Sequence, residues 1–161
     1  MGKFNLDRNK GKVSDIKQNI DTKKNELAQL EENKQKLLEA GTDIQGSDID
    51  EDVQRTIMQE INRALEENAE KGQELSDEMN TDAKDLEDLK QETQDSMESN
   101  QSEREKLEKK QAILDKIGLG RTLDDALTEL DDNMGDLNEF QESLMETEKE
   151  MDETAKKLSM L

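Results

Sequence analysis

Residues 123–158 read LDDALTELDDNMGDLNEFQESLMETEKEMDETAKKL. Leu123, Leu127, Leu130, Met134, Leu137, Gln141, Leu144, Glu148, Met151, Ala155 and Leu158 follow one another at alternating gaps of four and three, and nine of these eleven are apolar. Such gaps keep side chains on one narrow stripe of an α-helix, the seam of a coiled coil. Thr-Leu-Asp-Asp at 122–125 resembles a capping box, with Asp125 in the place of the usual Glu or Gln. The spacing predicts a helix over about residues 122–159.

The same period runs through the start of the chain. Leu6, Val13, Ile20, Leu27 and Lys34 fall seven apart, with Asn9, Ile16, Lys23, Leu30 and Leu37 three residues behind them. Lys23 and Lys34 can lay their aliphatic stems on the seam and keep their ammonium groups in water. Gly41 is placed to stop this helix, predicted at about 5–40. A middle helix is expected at about 48–117. Its early seam (Val53, Ile57, Ile61, Ala64, Asn68, Gly72, Leu75, Met79, Ala83, Leu86) has an eleven-residue pattern, and heptad spacing follows from Met97. Residues 91–105 contain one apolar side chain, Met97, and form its weakest part. Gly118 and Gly120 end it.

These lengths imply one all-α domain over residues 1–161, an elongated antiparallel coiled coil. A long central helix of roughly 100 Å, at 1.5 Å per residue, is flanked by two shorter helices whose free ends meet near residues 82–86. The alternative is a four-helix bundle with a break near 92–102. Narrow seams favour the first.

Composition agrees. Charged residues make up 41% and the hydrophobic set 29%, too few apolar groups for an ordinary globule. There is no proline to interrupt helices. The net charge of -20 repels nucleic acid and anionic lipid, so neither is an expected partner. Residues 1–40 carry nine Lys/Arg against seven Asp/Glu, whereas residues 122–161 carry three against thirteen. The acidic face of the third helix is therefore where a basic partner would bind, unless it is simply a solvated face. Nothing in MGKFNLDRNKGK resembles the apolar core of a secretory signal, and Leu6 stands where myristoylation wants Ser or Thr. The expected setting is cytoplasmic, with export without a cleavable signal as the alternative.

Chemistry is poorly represented. SDIDED at 47–52 begins like a calcium loop, but counted from Asp48 the turn glycine is replaced by Val53 and the bidentate glutamate by Gln59. A capped first helical turn explains it better, with Ser47 as cap and the acids facing the positive helix end. Without His or Cys, zinc sites, Glu-x-x-His iron sites and Cys/His nucleophiles are excluded. GLGR at 118–121 lacks phosphate-loop spacing and reads as a turn. No catalytic residue, cofactor or metal is expected.

The function that follows is a non-catalytic helical interaction module: an adaptor, spacer or assembly component. It would pair through its seams with a basic or helical protein partner, or with a second copy. Partner choice would be set by acidic faces and by Lys23, Lys34, Gln141 and Glu148. Leu137, Phe140, Leu144 and Met145 widen the third helix's apolar face and are the candidate partner contact, core packing being the other role open to them. A second reading is an acidic nucleic-acid mimic that occupies a basic protein. In size, acidity and helical hairpins the chain also resembles the small helical proteins that accompany type VII secretion and the targeting domains of their toxins. That resemblance implies an export-targeting or chaperone-like partner of a secreted toxin. The family's Trp-x-Gly turn and Tyr-containing signal have no counterpart here, since Trp and Tyr are absent.

Overall fold

The computed structural model describes residues 4–161. These form α1 (Leu6–Gln45), α2 (Glu51–Lys116), a 3-10 turn (Gly120–Leu123) and α3 (Asp124–Ser159), with no strand among the described residues. The fold is all-α. α2 passes unbroken through residues 92–102, which removes the four-helix alternative. Among the described residues no helix is long and apolar enough to cross a membrane.

Helix ends follow local hydrogen bonding. Asn5 caps α1, its Oδ1 accepting the Arg8 N–H at 3.0 Å. Gly41 does not stop α1. It lies buried, with Met58 Cε 3.6 Å from where a Cβ would stand, and packing outweighs glycine's cost of about 1 kcal/mol in a helix. Ser47 turns backward as well: its hydroxyl donates to Ile44 O at 2.7 Å and closes α1 rather than opening α2. The first α2 bond runs from Gln54 N–H to Asp50 O, so α2 starts three residues later than expected, with Glu51 and Asp52 in its first turn. At the far end Leu119 N–H reaches Leu114 O and Gly118 N–H reaches Asp115 O, a Schellman turn. Gly118 supplies the φ of +79° that it needs. GLGR is thus a helix-ending turn. Thr122 does not cap α3, because its hydroxyl donates back to Leu119 O.

The chain divides into two compact units, each drawing on all three helices. One joins the described residues up to Asp15 to Lys84–Glu148. Here α2 and α3 run antiparallel: Lys90 Nζ meets Glu148 at 3.0 Å, Asn100 Nδ2 donates to Leu130 O, and Arg104 pairs with Asp131. The hydrogen bond to Glu148 raises the Lys90 pKa; desolvation opposes it, and the charges of Glu148 and Glu87 add to the rise. The start of α1 joins them through Phe4, whose ring meets Phe140 edge to face at 5.7 Å. The other unit joins Ile16–Ala83 to Lys149–Leu161. In it α1 runs antiparallel to α2 (Lys23 to Glu78, Asn68 Nδ2 to Leu30 O) and parallel to α3 (Lys24 to Glu150, Lys34 Nζ to Met160 O). The outer helices therefore do not meet end to end near 82–86. Residues 6–15 of α1 belong to the first unit together with most of α3, and residues 149–159 of α3 belong to the second together with the rest of α1.

The reason is the width of α3's buried face. Leu137, Leu144, Met151 and Leu158 are buried, and Phe140, Thr147 and Thr154 form a second buried stripe beside them. Two stripes can contact two helices where one seam serves only one. On α2, Gly72, Met79, Leu86, Thr93 and Asn100 are buried seven apart, with Asp82 and Leu89 as companions. The eleven-residue reading thus gives way to a heptad from Gly72 onward. Val53 and Ala83, placed on that seam from sequence, are exposed. The weak stretch stays helical on small polar side chains: the Thr93 hydroxyl donates to Leu89 O at 2.6 Å, which pairs it within its own helix.

Two glycines predict different responses. A Cβ on Gly72 would stand 2.8 Å from Leu161 Cδ1 and 3.4 Å from the Leu158 carbonyl, so this position admits the end of α3. A Cβ on the exposed Gly135 of α3 would meet nothing within 4 Å. Gly135→Ala should stabilise the chain by about 0.8–1.0 kcal/mol through helix propensity alone. Gly72→Ala should fall short of that gain. Equal urea midpoints for the two variants would contradict the close approach at Gly72.

Candidate protein-interaction surface

Within the first unit, α2 and α3 leave a cleft of about 710 Å³ beside the first turn of α1. Phe4, Leu6, Leu130 and Leu137 supply its apolar surface. Glu92, Asp95 and Glu103 from α2 and Glu129 and Asp136 from α3 supply five carboxylates, and no Lys or Arg lines it. Helical spacing explains the α2 row. Glu92, Ser96, Ser99 and Glu103 follow at steps of four, three and four, and Asp95 lies three after Glu92 and four before Ser99, which keeps all five along one side of that helix. The carboxylates are exposed, so they retain water while adding a negative field along the groove.

Asn100 also lines the cleft, at 8% exposure. Its Nδ2 donates to Leu130 O at 3.2 Å, which settles the orientation of the amide. Its Oδ1 is then an acceptor without a donor among the described residues. Ser96, Ser99 and Asn133 add hydroxyl and amide groups that can donate, but five carboxylates and an unpaired carbonyl oxygen make the lining predominantly one of acceptors. Its complement is a group that only donates: a lysine ammonium or an arginine guanidinium. Among the described residues no three His, Cys, Asp or Glu side chains converge as metal ligands, at SDIDED or in the cleft.

The expected contact patch does not form one surface. Leu137, Phe140 and Leu144 are 6%, 2% and 0% exposed, because α3 turns both of its stripes inward. Met145 alone of the four is exposed. Leu137 keeps an edge on the cleft, and Phe140 sits behind it against Phe4. The α2 cleft residues all fall in the stretch 91–105, which from sequence is only a weak seam. The signal that could have found them is the run of small polar residues on one helical side, with acids at its margins. The chain matches no family model, no curated protein and no solved structure.

Proposed function

We propose that this chain is a non-catalytic helical interaction module that receives a cationic segment of a protein partner in the α2–α3 cleft. The observation that carries this reading is the charge of the lining: five carboxylates, no cation, and the buried Asn100 Oδ1 without a donor. The apolar surface from Leu6, Leu130 and Leu137 would bury the methylene stems of Lys or Arg while their heads reach the rim. That combination separates the module from a nucleic-acid mimic, which would bind through charge alone.

Titration calorimetry with a lysine- and arginine-rich helical peptide tests the reading. Exposed ion pairs contribute about 0.2–1 kcal/mol each. Replacing Glu92, Asp95, Glu103, Glu129 and Asp136 with Gln or Asn should therefore weaken binding by about tenfold or more. Leu6→Ser should weaken it further without changing its salt dependence. Binding that survives the five replacements would reject the cleft as the site. Binding that is indifferent to Leu6 and lost wholly with salt would favour the mimic.

A further inference from the structure

We infer that copies of this chain associate head to tail, the basic α2–α3 turn of one copy docking on the acidic α1–α2 turn of the next. One turn precedes and the other follows the uninterrupted 66-residue α2. Each exposes three large aliphatic side chains. On the α2–α3 turn Ile113, Ile117 and Leu119 are 64%, 66% and 53% exposed, Ile113 in the last turn of α2 and Ile117 directly after its final residue, Lys116. On the α1–α2 turn Leu38, Ile49 and Val53 are 47%, 41% and 46% exposed. Most of the chain's apolar side chains serve its seams, so these two groups stand apart.

Their surroundings carry opposite charge. Residues 106–121 hold Lys106, Lys109, Lys110, Lys116 and Arg121 against Glu108 and Asp115, a net of +3 in a chain of net -20. Glu108 is already engaged by Arg104 at 3.0 Å. Residues 37–54 hold six acids and no Lys or Arg. Four of them are Asp48, Asp50, Glu51 and Asp52, the SDIDED segment, whose acids gather no metal-ligand set. Matching aliphatic groups with opposite charge around them are the two requirements of a specific heterologous contact.

A second copy fits better than an anionic membrane, the other surface that a basic, apolar turn could meet. The remainder of the chain is acidic and would be repelled by anionic headgroups. Only a second copy covers both turns. The contact joins different surfaces, so each addition leaves one basic and one acidic turn free, and association continues past the dimer until the assembly closes on itself or remains open. None of these residues lines the cleft, and the inference stands apart from the function proposed for it.

Sedimentation equilibrium of the full chain tests this. The mean mass should rise past that of a dimer with concentration at low salt, and fall toward the monomer as salt screens the turns. K109E/K110E/K116E and D48K/D50K/D52K should each be monomeric alone; every altered side chain is exposed, and circular dichroism checks that reversing charge at the two ends of α2 frays no more than its terminal turns. Mixed in equal amounts they should recover association, because the first retains its acidic turn and the second its basic one. The chain has no cysteine, so Ile117→Cys and Ile49→Cys chains, mixed and oxidised, should yield the mixed disulfide in preference to either like pair. The inference is overturned by monomer mass at every concentration, by like-pair disulfides in excess, or by charge variants that associate as before. Binding to phosphatidylserine vesicles that K109E/K110E/K116E abolishes, with the mass still monomeric, would assign the turn to a membrane instead.

Discussion

Phe140→Ala should destabilise the chain by about 3–5 kcal/mol, the usual loss for a fully buried phenylalanine. Phe140 is 2% exposed on the second stripe of α3. Its ring is met edge to face by Phe4 at 5.7 Å and 71°, and those two are the chain's only aromatic residues. Such a pair adds about 0.5–1.5 kcal/mol beyond its burial. Truncating Phe140 removes both contributions and leaves a cavity where the start of α1 joins α2 and α3. Phe4 is only partly buried, so Phe4→Ala should cost less. Met145, five residues beyond Phe140 and exposed, should respond to alanine within about 0.5 kcal/mol. Urea denaturation of the three variants checks the order. A Phe140→Ala midpoint level with that of Met145→Ala would show that the second stripe is not core. Since domains are stable by only about 5–15 kcal/mol, the expected loss could leave Phe140→Ala partly unfolded at room temperature.

The second large effect has the opposite sign. Asn9→Leu should raise stability by about 1–3 kcal/mol, the cost of leaving a buried polar group unpaired. Asn9 is 2% exposed, and its Nδ2 finds no acceptor. Leucine has the same branched side-chain skeleton with bulkier methyl ends, and it would complete the apolar series of α1 if the seam takes up the added volume. Asn68→Leu should gain less, because the Asn68 Nδ2 already donates to Leu30 O at 2.9 Å and its removal gives up that bond. Thermal unfolding orders the two. Both replacements also remove register information, because a seam asparagine tolerates fewer alignments than leucine does. Sedimentation of Asn9→Leu should therefore show a broader mass distribution than the parent chain. A lowered melting temperature would mean that the Asn9 amide has an acceptor, such as an ordered water, and that its polarity is structural.

The α1 seam was legible because it is a heptad read against a charged background. Val13, Ile16, Ile20, Leu27 and Leu30 are all buried, as their spacing requires. The α3 seam was legible for the same reason. Phe140 was legible as widening that face, with core packing as one of its two roles, but Thr147 and Thr154 were not legible at all, because a hydroxyl that bonds its own helix carbonyl can enter a core without a hydrophobic signature. Asp82 was missed in favour of Ala83 because the sequence assigned the apolar residue to the inside. In the structure the Asp82 carboxylate faces Asn19 Nδ2 at 3.5 Å. Of the cleft, the acids were visible as composition. Their gathering around Asn100 depends on how α2 and α3 are aligned, which no single helix states.

Sequence by itself determined that this chain is all helix, where its three helices lie to within a few residues, and that its surface is acidic. These properties follow from periods, propensities and charges that act within a turn or two of the backbone. Tertiary structure decided the rest: that each unit takes segments from three helices, that Gly41 continues a helix while Gly118 ends one, and that five carboxylates surround one unpaired carbonyl oxygen. Each of these depends on which side chain lies across from which. In a seam this polar the relative positions of the helices are set by particular pairs, Asn68 on Leu30 and Asn100 on Leu130 among them, that a linear pattern does not contain.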